Sequence, residues 1–482
     1  MKELLKRDAA SHAVSLRAGE YSSEELTRAY LERIEESDGE IGAFITVTAD
    51  KAIASAKASD MRRLEGKALG IFDGVPIAVK DNICTRGTLT TCASKMLADY
   101  IPPYSATAVE RLERAGILVL GKLNMDEFGM GASTENSAFK ITRNPYDTSR
   151  VAGGSSGGCA AAVAAFEAPW SLGSDTGGSV RQPASFCGAV GMKSTYGRVS
   201  RSGLVAFAPS LEQIGPITKN VRDNANLLSI IAGADVKDAT SLNVGDEDFS
   251  RDIGRDVRGL RVGMPRELFT ENISDGVGRA VMRAAKILED AGAEVTECSL
   301  PSAEYALAAY YVISSAEASS NLARFDGVRY GHGSNNFDGI DEFYKSSRAE
   351  GFGTEVKRRI MLGTFALSSG YYDEYYKKAL GVRSLVKRDF EKLFEKYDIL
   401  LSPVSPSVAY RIGEKTKNPT DMYTGDLFCV PANIAGIPAL SLPCGTGEYG
   451  MPAGVQLMGK RLSESLLYRV GAVIEDAEGG GV

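Results

Sequence analysis

Between residues 70 and 130 the hydrophobic period of this chain changes. "GVPIAVKD" (74–81) and "GILVLGK" (116–122) are apolar runs of strand length, and between them "TAVERLERAG" repeats its apolar residues at helical spacing. Strands alternating with helices in this way require a sheet carrying crossover helices. The theme returns at "RVGMPREL" (261–268), expected as a buried strand, followed by the helix "GVGRAVMRAAKILEDAG". The chain closes with strands "DILLSP", "IPALSLPCG" and "AGVQLMG" and a helix from about 463.

Ahead of the first strand, residues 2–18 and 23–37 carry helical periodicity, the second segment capped by Ser22 or Ser23 with Glu25 in its first turn. An alanine-rich helix is expected over 49–64. Residues 302–396 read as mainly helical, with "EVKRRIMLGTFALSSGYYDEYYKKAL" the longest candidate. The expected fold is α/β: a mixed central sheet with helices on both faces, in one domain over 1–482. Within it a motif-bearing core spans about 70–220, and a partly helical region over about 222–430 is expected to cover part of the candidate site. With 482 residues, 44% of them hydrophobic, the chain can bury so large a core, and neither repeats nor a separating linker are evident.

A net charge of −7 argues against nucleic acid as a direct partner, because phosphate binding needs a clustered basic face. No apolar stretch is long enough for a signal peptide or a membrane span, so a cytoplasmic protein is expected. The seven cysteines are scattered without a C-x-x-C pair, which reads as reduced, mostly buried thiols. Only two histidines exist, His12 and His332. Multi-histidine metal sites are therefore excluded, and no metal is expected.

Residues 151–219 are dense in Gly and Ser, with strand-like fragments near 170–173, 188–192 and 204–207. The helix "CAAAVAAF" marks the segment as ordered. Here "AGGSSGG" (152–158) and "GSDTGG" (173–178) frame serines in glycine. A serine hydroxyl needs a base as it attacks, and with histidine scarce the plausible base is a lysine kept neutral. Lys80 ends a buried apolar run, where desolvation lowers an amine's pKa. "DTGGS" (175–179) lets successive N–H groups converge on a developing oxyanion. A rival exists: "GSSGG" also matches G-x-S-x-G with Ser156 as nucleophile, which would require His332 as base. "GTGEYG" (445–450) matches a dinucleotide fingerprint, but a strand follows it instead of a helix, so a hairpin turn is expected.

Taken together, "GVPIAVKDN", "AGGSSGGCAAAVAA" and "GSDTGGSVRQPASFCG" resemble the amidase signature family of Ser-cisSer-Lys amidohydrolases. The resemblance implies Ser179 as nucleophile, Ser155 as the bridging serine on a cis peptide bond, and Lys80 as base. It also implies an oxyanion pocket from the amides of Thr176, Gly177, Gly178 and Ser179, with Asp175 and Arg181 bracing the loop.

Outside these motifs, "SSAEASSNLARFDGVRYG", "MYTGDLFCVPANIAGIPALSLPCG" and the long helical segment resemble one branch of the family, the glutaminase subunits of tRNA-dependent amidotransferases. The likeness runs from about residue 3 to 460, and "IEDAEGGGV" departs from the longer basic and aromatic helix usual there. That branch implies hydrolysis of glutamine, with the ammonia passing to a B-type subunit that amidates Glu-tRNA(Gln), or also Asp-tRNA(Asn). A small C-type subunit would complete the complex, and tRNA would be held through the partner subunit. No cofactor is implied in this chain, ATP and Mg being expected on the partner. Arg359 would pair with the glutamine carboxylate, Arg358 being its fallback, and Asp426 with the ammonium, while Tyr310 would line the pocket. The alternatives are a stand-alone amidase acting on another small amide through an apolar acyl channel, or a catalytically idle scaffold.

Overall fold

The short apolar runs become strands. The computed structural model describes residues 2–270, 272–416 and 418–479. In chain order its strands are β1 (Phe44–Val47), β2 (Pro76–Lys80), β3 (Leu118–Leu123), β4 (Arg143–Asn144), β5 (Asp147–Val151), β6 (Trp170–Asp175), β7 (Val190–Lys193), β8 (Gln213–Thr218), β9 (Arg261–Pro265), β10 (Glu294–Cys298), β11 (Ile399–Pro403), β12 (Ala439–Thr446) and β13 (Pro452–Gly459). β4 and β5 pair with each other, and the rest form one eleven-stranded sheet in the order β1-β3-β2-β6-β8-β7-β12-β13-β11-β9-β10. β3, β2 and β6 run parallel, as do β11, β9 and β10. The pairings between and outside these groups are antiparallel, so the sheet is mixed as expected.

Helices cover both faces. Leu440, Leu457, Ile399 and Leu401 belong to one apolar cluster, shared with the helices Ala9–Ala18, Val221–Ile231, Asp275–Asp290 and Glu464–Ala477. Their strand neighbours Ala439, Met458 and Leu400 belong to another, shared with Ala303–Leu322 and Lys378–Lys396. Adjacent strand residues point to opposite faces, so the two clusters lie on the two sides of the sheet. At one edge, β10 carries Glu294 and Glu297 exposed, a charge pattern that discourages further strand pairing.

Local signals explain several helix boundaries. Ser22 and Glu25 form a capping box at the start of Ser23–Ile41, and the alanine-rich helix spans Ala49–Leu64. Residues 2–18 divide into Lys2–Lys6 and Ala9–Ala18 because the Asp8 side chain caps the second helix by accepting from Ser11 N.

Two expectations are corrected. Residues 204–207 form no strand, contributing only an isolated bridge from Leu204 to Ile83. The strand is instead β8, "QIGPIT", whose central Gly and Pro argue against a strand until neighbours on both sides are known. The long helical candidate is also broken. A helix ends at Leu367, Ser368 turns extended and hydrogen-bonds back to Phe365 O, and after a π-turn over Tyr372–Lys377 a new helix runs Lys378–Lys396.

The fingerprint-like "GTGEYG" spans the end of β12 and the turn that joins it to antiparallel β13. All seven cysteines are free thiols. Among the described residues no helix is long and apolar enough to cross a membrane.

Candidate active site

β2 and β6 are parallel neighbours, so their C-terminal ends emerge at the same edge and set Lys80 beside Ser174. The fully buried Lys80 Nζ donates to Ser155 Oγ at 2.8 Å and to Ser174 Oγ at 3.0 Å. Asn82 Nδ2 donates to the same Ser174 hydroxyl at 2.9 Å, steadying the group that steadies the amine. Burial lowers the Lys80 pKa to about 8 against the pull of nearby acidic groups, leaving an appreciable neutral fraction near neutrality. Ser155 is itself buried, and the Gly154–Ser155 peptide bond is cis.

Ser179 follows the end of β6 on the glycine loop, and Ser156 N donates to Ser179 O at 3.1 Å, which joins the two serine segments. Among the described residues the Ser179 hydroxyl has no hydrogen-bond partner, including Ser155.

The loop itself is held by Asp175. Its carboxylate takes a bidentate pair from Arg181, at 3.0 Å from Nε and 2.9 Å from the terminal nitrogen, together with Asn433 Nδ2 at 2.9 Å. Burial alone would raise the pKa of this carboxyl, but the Arg181 guanidinium holds it well below the usual carboxylate range. Arg181 also reaches Cys429 O, Gln456 and Asn433, tying the loop to β13 and to the helix Val430–Ala435.

Of the four loop amides, Gly178 N is directed at Asp175 Oδ1 (2.9 Å), whereas those of Thr176, Gly177 and Ser179 have no acceptor among the described residues. Gly178 has a φ of +130°, and a Cβ there would stand 2.6 Å from Cys429 Cβ. One on Gly177 would stand 2.6 Å from the Tyr310 ring, so neither glycine has room for a side chain.

The substrate candidates come from the covering region. Tyr310 on Ala303–Leu322 is buried against Gly177. The next residue, Tyr311, donates to Asp426 Oδ2 at 2.7 Å. Arg359 on Thr354–Leu367 is 2% exposed and lies over the Tyr311 ring, 4.4 Å from its centre, and over that of Tyr423. Its Nε donates to Glu355 at 2.7 Å, and one terminal nitrogen is buried without a partner among the described residues. Burial raises the Asp426 carboxyl to about 7, while the Tyr311 hydrogen bond and the Arg359 charge work to lower it.

Arg359, Asp426 and Tyr310 therefore converge around one aromatic pair. The half-exposed Arg358 pairs with the outer side of Glu355. Sequence reading missed Glu355, Tyr311 and Tyr423, which orders the pair by donating to Glu355 at 2.8 Å. Only Glu355 carried a signal, its i,i+4 spacing to Arg359.

The rival triad does not assemble. Ser156 Oγ donates to Ser174 O at 3.1 Å, and His332 pairs with Glu350 at the surface. A cleft of about 900 Å³ between residues 95–104 and 321–335 holds none of the three catalytic candidates.

This chain belongs to the amidase family, whose model, described as Amidase, matches residues 25–468. Two curated relatives are more specific. The A-type subunit of glutamyl-tRNA(Gln) amidotransferase from Moorella thermoacetica is 57% identical over 95% of this chain and 94% of its own. That of Caldanaerobacter subterraneus subsp. tengcongensis is 56% identical over 95% and 93%. The crystal structure of the corresponding glutamyl-tRNA(Gln) amidotransferase chain from Thermotoga maritima, 43% identical, superposes with a TM-score of 0.82 over 98% of this chain and 95% of that one. The native peptide amidase from Stenotrophomonas maltophilia, 29% identical, reaches 0.83 over 99% and 98%.

Proposed function

We propose that this chain is the glutamine-hydrolysing subunit of a tRNA-dependent amidotransferase. The observation that carries the substrate choice is the Arg359–Tyr311–Asp426 cluster. It sets a buried guanidinium, one nitrogen of which has no partner among the described residues, and a carboxylate beside Tyr310, which touches the serine loop. A free α-amino acid needs one cation and one anion in its pocket. A stand-alone hydrolase of apolar amides has no use for them.

In the reaction, Ser179 Oγ attacks the glutamine side-chain carbonyl carbon, and its proton passes through the Ser155 hydroxyl to the neutral Lys80 amine. The amides of Thr176, Gly177 and Ser179 stabilise the oxyanion, while Gly178, turned to Asp175, shapes the loop. Collapse breaks the C–N bond and the Lys80 proton returns by way of Ser155 to the leaving nitrogen, releasing ammonia. Water then cleaves the acyl-enzyme, giving glutamate and restoring Ser179.

The ammonia serves a B-type partner that carries ATP and Mg and converts Glu-tRNA(Gln), with a C-type subunit completing a cytoplasmic heterotrimer. The net charge of −7 fits tRNA held by the partner and not by this chain. We take 1–482 as one amidase domain, supported by a sheet that draws strands from Phe44 to Gly459.

The test is ammonia release from L-glutamine by the chain alone and co-expressed with B-type and C-type subunits, beside Ser179→Ala. Activity that rises with partners and charged tRNA and disappears in the variant is expected. Cleavage of simple aliphatic or aryl amides with glutamine ignored overturns the substrate assignment. Amidation from glutamine that survives Ser179→Ala revives the scaffold alternative.

A further inference from the structure

Asp126, just past β3, is a fully buried carboxylate that the steps above leave without a role. Its main-chain N–H donates to Ser155 O at 3.2 Å. Its Oδ2 accepts from the N–H groups of Thr134 at 2.9 Å and Ser133 at 3.3 Å, and its Oδ1 from that of Asn136 at 3.2 Å. Thr134, held in this way, donates its hydroxyl to Gly153 O at 2.8 Å and accepts from Gly157 N at 3.1 Å, so one loop anchors both sides of Ser155. The fit is close: a Cβ on Gly154 would run into Asp126 Oδ2, and one on Gly131 into Oδ1.

Among the described residues no lysine or arginine pairs with this carboxylate, whereas the other carboxylate near Lys80, Asp175, is matched by Arg181. Asp81, next along the chain, is matched by Lys122 at 3.6 Å.

We propose that Asp126 is a positioning residue: it holds the 131–136 loop against residues 153–157 so that Ser155 faces Lys80, and its unmatched charge stabilises the ammonium that Lys80 becomes. The inference rests on the Ser179–Ser155–Lys80 reading. Of the ionisable groups around Lys80, Cys159, Asp126, Asp175 and Cys92 favour its ammonium form most. Burial keeps both thiols protonated, raising Cys159 to about 12 and Cys92 well above its ordinary value. With Asp175 committed to Arg181, Asp126 is the remaining anion. Burial raises its pKa to about 7, so it is mostly ionised at about pH 8, where Lys80 titrates.

The experiment follows Ser179 labelling by a fluorophosphonate against pH, which reads nucleophile activation whatever the natural amide. Wild-type labelling should rise with pH through the Lys80 titration and be absent in Ser179→Ala. In Asp126→Asn the plateau should fall and the midpoint move down by about 1 pH unit, because losing a nearby anion disfavours the ammonium. Asp126→Glu should restore the midpoint. An unmoved midpoint in a folded Asp126→Asn protein overturns the proposal.

If Asp126→Asn does not fold, Thr134→Val decides, since it loosens the loop but keeps the charge. A lower plateau at the wild-type midpoint supports the proposal, and a moved midpoint overturns it. Wild-type protein left unlabelled at Ser179 overturns the serine reading itself, and this inference with it, a result distinct from labelling with an unmoved midpoint.

Discussion

The two halves of the site are built differently. On the sheet side, Lys80 ends β2 while Ser155 and Ser179 lie on glycine-rich loops, and the Lys80 amine is held by the small side chains of Ser155 and Ser174. On the helical side, Arg359, Asp426 and Tyr310 are long side chains that brace one another through Glu355, Tyr311 and Tyr423. The first arrangement fixes atoms closely because backbone has no rotamers to lose. The second sets a pattern of charge that a few substitutions could redraw. The proposed function thus assigns bond-breaking to the sheet and substrate choice to the covering helices, a division by which one fold can serve different amides.

If that division is right, the largest losses should come from the sheet side and fall on kcat. Ser179→Ala and Lys80→Ala should each lower the glutaminase kcat by at least about 1,000-fold in the assembled enzyme, with glutamine binding retained by calorimetry. Gly178→Ala forces a side chain onto Cys429 at a positive φ and should cost about 100-fold in kcat, with circular dichroism reporting whether the fold persists.

Substitutions on the helical side should appear in KM. Arg359→Lys keeps the charge but loses the planar fork, and a rise in KM of about tenfold with kcat little changed is expected. A kcat loss as large as that of Lys80→Ala would show that the two halves do not divide the work.

The pH profile draws the line more finely. The base must be neutral, so kcat should climb as pH rises toward the Lys80 value of about 8 and fall below it. Arg359→Lys should leave that limb in place. The smallest effect belongs to His332→Ala, expected within about twofold of wild type in ammonia release, because the histidine faces Glu350.

Much of the sheet side was legible in advance. Glycine and serine clusters can be read along the chain because a close backbone approach forbids side chains locally. The buried lysine was legible because the apolar run ending at Lys80 announces its own burial. β8 was not, since its Gly and Pro are tolerated only by the neighbours that flank it. The long helix was misread because the Ser368 hydroxyl donates to the Phe365 carbonyl, an alternative hydrogen bond that periodicity does not register.

On the helical side, Arg359 and Asp426 were named through resemblance and not through pattern, and Tyr311 and Tyr423 carried no local signal at all. The order of residues alone dictates the strand and helix alternation, the glycine loops and the scarcity of imidazole that makes lysine the plausible base. These follow from short-range sterics and from composition. It took the folded arrangement to turn Gly178 N–H toward Asp175, to join Asp126 N–H to Ser155 O, and to leave one Arg359 nitrogen without a partner and the Asp126 carboxylate without a countercharge among the described residues. Each depends on groups far apart in the chain, whose directions are set by packing and not by neighbours in sequence.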